Sequence, residues 1–245
     1  MDMSSEFPKG SLVYLSRGSL IVGLGYLISL IGRIYGCIGL RASAEDILSK
    51  TGSIRDTASI VYNALLTHLY TPLSMEMVSF ILVMIGVTFY LIRFLYTIKT
   101  VYPEKYGLPT TIYIIAYPLG YLVYLSGSAL LLGLTLSTLR SIAEGTTGRE
   151  ALVASIGYMY TGLVLILTGS IMMIVGIIAL AIILLRLKRD LGVGMLAVTA
   201  YLLIISIIIT PIPSITGQPP IAIIGDLLSL IAYILVPLAI TKIKK

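Results

Sequence analysis

The chain has no tryptophan, one cysteine and one histidine in 245 residues. With Cys37 and His68 alone, no intrachain disulfide and no Cys/His metal cluster can form, and bis-histidine haem and dithiol chemistry fall with them. Charge is equally scarce. Only 11% of residues are Asp, Glu, Lys or Arg, while 58% are apolar, against about 25% and about 45–50% in an average soluble domain. A mean hydropathy of +1.03 leaves too few polar side chains to cover a water-facing surface. Lipid is therefore the expected solvent for much of the molecule. Asn63 and Gln218 are the only carboxamides. Their depletion is a mark of proteins from hot environments, and lipid burial accounts for it too.

What is present is a series of long apolar runs. A span needs about 20 apolar residues to cross about 30 Å of hydrocarbon, and six runs qualify, at about 12–40, 77–98, 110–137, 157–185, 191–210 and 220–241. The expected fold is all-α, a polytopic membrane bundle of six transmembrane helices forming a single domain over 1–245. Arg17 and Arg33 flank the centre of the first run and can snorkel outward. Pro118 should kink the third. The run Arg186-Leu-Lys-Arg-Asp190 ends the fourth, and the proline-rich stretch Pro211–Pro220 ends the fifth.

Basic residues set the expected orientation. With the N-terminus inside, Lys9, Arg17, Arg93, Lys99, Lys105, Arg186, Lys188, Arg189, Lys242, Lys244 and Lys245 share one side, eleven in all. Arg41, Lys50, Arg55, Arg140 and Arg149 make five on the other. That bias places both termini in the cytoplasm of a multi-pass cell-membrane protein. The net charge of +6 then describes an inner rim, and no nucleic-acid partner is expected. No leader with a cleavage site precedes the first run, which reads as a retained helix.

The one long connection, 41–75, reads as an extracytoplasmic amphipathic hairpin of two short helices. Ser43-Ala-Glu-Asp46 and Ser53-Ile-Arg-Asp56 resemble capping boxes, Gly52 falls where the first helix should end, and the second should stop before Pro72. Leu12-Val-Tyr-Leu-Ser16 recurs as Leu122-Val-Tyr-Leu-Ser126, each followed by a Gly-Ser pair. Duplication is one reading of that match, and the biased composition is the other.

Few residues can carry chemistry. Asp226 is the acid well inside a run, and a carboxylate in hydrocarbon needs a partner, a proton or a nearby helix N-terminus. Arg33 comes to a similar depth in the expected topology. An Arg33–Asp226 polar pair tying the first helix to the last is therefore expected, with a proton or cation site as the alternative. Tyr113, Tyr117, Tyr121 and Tyr124 form a stripe on the third helix, which serves either packing or the lining of a polar cavity. Gly32-Arg-Ile-Tyr-Gly36, Gly23, Gly25, Gly169, Ser170 and Gly176 offer close-approach surfaces, within the bundle or between copies. His68, beside Leu65, Leu66 and Leu69, reads as a helix-surface residue.

Known membrane enzymes need more than this sequence offers. A serine protease needs a histidine in a span, an aspartyl protease a second buried acid, a prenyl transferase clustered aspartates, and an ATPase a phosphate loop. No catalytic residue, cofactor or metal is expected.

The basic-flanked first helix at 12–33, the Ile/Leu/Gly-rich helices, the Arg186–Asp190 break and the Lys-rich end resemble the small multi-spanning membrane proteins of unknown function found in crenarchaeal archaea. That resemblance implies a multi-pass membrane location and carries no activity or site residues. Two functional classes remain. One is a non-catalytic structural or accessory component of a membrane assembly, working with other subunits or its own copies in the bilayer. The other is a transporter or permease subunit for a small solute or ion, for which a continuous polar cavity would be the distinguishing feature.

Overall fold

The structure, a computed structural model, describes residues 8, 10–49, 54–146, 149–209 and 219–243. Among them there is no strand. The elements in order are α1 (Ser11–Ser49), α2 (Ile54–Ile85), a π-helical segment (Gly86–Leu91), α3 (Ile92–Val101), α4 (Pro103–Glu144), α5 (Arg149–Leu191), α6 (Met195–Ile209) and α7 (Pro219–Ile243). The helix end expected at Gly52, the cap expected at Ser53, Lys244, Lys245 and residues 211–218 of the proline-rich break lie outside the described residues. Pro219 and Pro220 open α7, where a missing N–H does no harm.

Five segments are long and apolar enough to cross a membrane: Ser11–Gly39, Thr71–Val101, Pro103–Glu144, Ser155–Leu191 and Ile223–Ile243. The remaining expected span, at about 191–210, appears as α6, which has 15 residues and so measures about 22 Å at 1.5 Å per residue.

The two short outer helices expected over 41–75 are not separate elements. Ser43–Asp46 lies inside α1, and α2 runs through Pro72. No glycine or proline falls between Gly39 and Ser49, so extending an existing helix avoids the unfavourable nucleation that a new one would require. Pro72 is accommodated because the position facing it has no side chain. A Cβ on Gly36 would stand 3.3 Å from the Pro72 ring. The second glycine of the Gly32–Gly36 motif thus serves a contact within this chain.

Helix ends follow from local chemistry. Gly192 adopts φ +68° and its N–H donates to the Lys188 carbonyl at 2.9 Å, closing α5 with a left-handed residue that a Cβ would strain. Tyr102 leaves helical geometry and Pro103 starts α4, separating it from α3.

The distribution of side chains is that of a lipid-facing bundle. On α1, Ser19 and Ser29 are buried while Leu20, Leu24, Leu27 and Ile31 are exposed. On α4, Thr110 is buried while Leu108, Ile115, Leu119 and Leu122 are exposed, and on α6 Thr199 and Ser206 are buried beneath exposed Val198, Tyr201, Ile205 and Ile208. In water each exposed Leu or Ile would forfeit about 1.5–3 kcal/mol of burial. In hydrocarbon that penalty vanishes, and the small polar residues gain by facing other helices. The chain is a helical membrane protein.

The chain divides into two compact units: residues up to Ile31, Met75–Pro118 and Met173 onward form the first, and Gly32–Ser74 with Leu119–Met172 the second. Seven-residue spacing of small residues builds both. In the first unit α1 meets α2 and the π segment at Gly18, Gly25 and Gly86; a Cβ on Gly25 would lie 2.7 Å from Val83, and one on Gly86 3.0 Å from the Gly18 carbonyl. In the second, Gly120 and Gly127 of α4 oppose Gly169 and Gly162 of α5, so closely that a Cβ on Gly127 would stand 2.7 Å from the Gly162 carbonyl. A strict seven-residue repeat keeps such a seam facing its partner along slightly left-handed helix pairs. His68 packs half-buried against Gly39 in the second unit.

Candidate functional site

The first unit buries Tyr106, Thr110, Tyr113, Tyr117, Asp226, Ser229 and Tyr233. They begin on α4. Tyr106, Thr110, Tyr113 and Tyr117 recur at spacings of four, three and four, share one face of the helix, and are each 0% exposed. Seven-residue spacing also carries α5 from Gly176 through Ile183 to Asp190. A Cβ on Gly176 would stand 2.7 Å from that of Tyr117, so the absence of a side chain there lets the Tyr117 backbone approach α5.

At one end of this face, Asp190 accepts hydrogen bonds from the Lys105 ammonium and the Tyr106 hydroxyl. The carboxylate is almost enclosed and the lysine about one-third exposed. The ammonium also lies 5.8 Å from the centre of the Tyr106 ring, in reach of its π face. From α3, the Lys99 ammonium donates to Thr111 of α4 at 2.8 Å.

Further along, four tyrosines from three helices meet. Tyr113 and Tyr117 stack at 5.3 Å between ring centres, and Tyr26 of α1 stacks on Tyr233 of α7 at 5.6 Å. The Tyr26 and Tyr117 hydroxyls lie 3.4 Å apart, and the Tyr233 hydroxyl comes near those of Tyr113 and Tyr117. Among the described residues, Thr110, Tyr113 and Tyr233 nonetheless keep buried hydroxyls with no hydrogen-bond partner of good geometry. Beyond the quartet, Ser229 and Asp226 continue the Tyr233 face of α7, one and two turns on, both buried. On α1 the Ser29 hydroxyl, one turn beyond Tyr26, donates to the Glu76 carboxylate at 3.1 Å. A carboxylate therefore stands at each end of a track of hydroxyls.

Comparison with protein-family models, curated proteins and solved structures finds no match. What the chain does has to be argued from its geometry.

The residues singled out in the sequence divide between the units. Tyr113, Tyr117 and Asp226 belong to the track. Tyr121 and Tyr124 are half-buried in the second unit, where the Tyr124 backbone meets Gly169. Arg33 is half-buried in the second unit, Asp226 buried in the first, and each has interaction partners. Sequence reasoning missed Tyr26, Glu76, Thr110, Asp190 and Tyr233. The four-three-four spacing from Tyr106 to Tyr117 was available as a signal, since it continues through Gly120, Tyr124 and Gly127. Nothing in the sequence marked Tyr26 and Tyr233 as partners, because they lie near opposite ends of the chain. Among the described residues, no group of three or more His, Cys, Asp or Glu side chains could hold a metal.

A cleft of about 640 Å³ opens at the turn between α5 and α6, lined by residues 191–195 with Lys242 and Ile243. Its walls are mainly backbone and apolar side chains, and its first lining residue, Leu191, directly follows Asp190.

Proposed function

We propose that this chain is a transporter, moving a small ion or solute through its first unit. The observation that carries the reading is the set of buried hydroxyls on Thr110, Tyr113 and Tyr233 that lack good partners among the described residues. A buried hydroxyl without a partner costs about 1–3 kcal/mol, whereas an apolar side chain of the same shape is nearly neutral. A purely structural seam would be served better by Val and Phe at these positions. Buried polar groups between membrane helices serve helix packing where they are hydrogen-bonded across the interface; hydroxyls left without a good partner are instead suited to a bound species or a path.

The proposed setting is six membrane-crossing segments with both ends cytoplasmic, the Arg140 end of α4 facing outward, and the helical connection between the first two spans outside the cell. Its partners are the bilayer and either further subunits or other copies of the chain. The orientation is tested by labelling single cysteines introduced at Lys99 and Arg140 in a Cys37→Ser background: in intact cells only the Arg140 site should react with an impermeant reagent. The transport reading is tested by reconstituting the purified chain in liposomes and following ion and solute flux. Absence of all flux would overturn it.

A second reading has its own support. The glycine contacts between α4 and α5 in the second unit make a rigid, closely packed helix pair of the kind that a structural or accessory component of a larger assembly requires. Extraction in mild detergent, with identification of the proteins that co-purify, discriminates: reproducible recovery with a non-transport assembly favours the accessory role.

A further inference from the structure

We infer that the species moved is the proton, passed along the hydroxyl track between Asp190 and the Asp226 region by waters held at Thr110, Tyr113 and Tyr233. The inference rests on the transport reading and narrows its substrate.

Three observations carry it. First, the track begins and ends on groups that exchange protons: the Asp190 carboxylate, hydrogen-bonded to Tyr106 and Lys105 at the helix ends, and Asp226 and Glu76 at the far side. Second, every polar side chain that links them is a hydroxyl, which accepts a proton on a lone pair while donating its own. Third, the hydroxyls without a hydrogen-bond partner of good geometry among the described residues include Thr110 and Tyr113, which lie in sequence between Tyr106 and Tyr117 on one face of α4, and Tyr233, whose hydroxyl comes near those of Tyr113 and Tyr117. The α4 side chains share one helix face, with Cβ atoms of successive members about 5–6 Å apart, and waters between their hydroxyls would complete the hydrogen bonds that the side chains leave unmade. Buried waters characteristically make about three hydrogen bonds to such orphaned groups.

The transfer balances without a redox partner. A proton arriving at Asp190 forms a carboxylic acid, which donates it to the Tyr106 oxygen as that hydroxyl releases its own hydrogen to the next water. The same exchange repeats at Thr110 and Tyr113, and passes through the tyrosine quartet and Ser229 to the Asp226 carboxylate. No bond other than O–H forms or breaks, and rotation of the hydroxyls resets the chain.

The test uses the full chain in liposomes enclosing a pH-sensitive dye, with a potassium diffusion potential set by valinomycin as the driving force. The wild-type chain should move protons faster than protein-free vesicles do, and more slowly in D2O. Tyr113→Phe and Tyr233→Phe should each lower that rate several-fold, up to about tenfold, the factor for one lost hydrogen bond in a rate-limiting step. Tyr96→Phe, on the exposed side of α3, should leave it unchanged. Melting in detergent verifies that each variant is folded, and Thr110→Val replaces any phenylalanine variant that is not. Wild-type rates in all folded track variants would overturn the relay. Flux of another ion or solute without protons would overturn it and leave the transport reading standing. No flux of any kind would remove both.

Discussion

Replacing Gly169 by alanine should destabilise the protein although alanine is the better helix former, and the structure supplies the sign. Gly169 lies in the interior of α5, where Gly→Ala alone would gain about 0.8–1 kcal/mol in helix propensity. Its new Cβ, however, would fall 2.6 Å from the Gly120 carbonyl and closer still to the Tyr124 backbone nitrogen. Carbon does not approach backbone atoms so closely, and no flexible side chain is there to yield. The two helices must therefore separate by about 1 Å, which loosens the matching contact at Gly127 and Gly162 as well. Forcing a methyl into a packed interface costs about 1–3 kcal/mol, so a net loss of up to about 2 kcal/mol remains after the propensity gain, nearer its upper end because the displaced partner is a whole helix. Gly157 is the control. It lies in the same helix, and among the described residues nothing stands within 4 Å of where an added methyl would sit. Gly157→Ala should therefore raise stability by up to about 1 kcal/mol. Thermal melting of both variants in one detergent, followed by circular dichroism or by loss of the monodisperse peak, reads the two shifts. Equal shifts, or a stabilised Gly169→Ala, would refute the close backbone approach of α4 and α5.

Other consequences are simpler to check. Asp190→Asn should lower stability by about 1–3 kcal/mol, because it removes the charge that two buried or half-buried donors share; Tyr106→Phe should lose less, and melting temperatures give the order. Arg140→Ala removes an ion pair with Glu144 on the exposed side of α4 and should leave the melting temperature unchanged. Gly36→Leu should destabilise through collision with the Pro72 ring, and Pro72→Ala in the same chain should relieve part of the loss, an interaction that a double-mutant cycle measures.

The sequence determined the solvent and the elements. With 11% charged residues and long Ile/Leu/Gly runs, no arrangement in water could bury the apolar surface, so long helices in lipid followed, and five stand close to where the runs lie. The Arg186–Asp190 stop was legible, one residue before α5 ends at Leu191, whereas the start of α4 at Pro103 was not read. Over 41–75 the break between α1 and α2 falls where Gly52 and the Ser53–Asp56 box put it, since α2 begins at Ile54, but the Ser43–Asp46 box and Pro72 carry local signals that an already formed helix overrides. The candidate site divides in the same way. Tyr113, Tyr117 and Asp226 stood out by chemistry alone. Their grouping did not, since a stripe of tyrosines has the same appearance in sequence whichever part of it is buried. Tertiary packing decided that Tyr113 and Tyr117 join Tyr106 and Thr110 on a fully buried face, and that Tyr26 stacks on Tyr233 from the other end of the chain. It also turned Asp190, which in the sequence is one charge in a basic stop signal, into the shared acceptor of Lys105 and Tyr106. Periodicity is a property of one helix, and it fixes which residues share a face; which faces meet depends on the closeness of approach that glycines at seven-residue intervals permit.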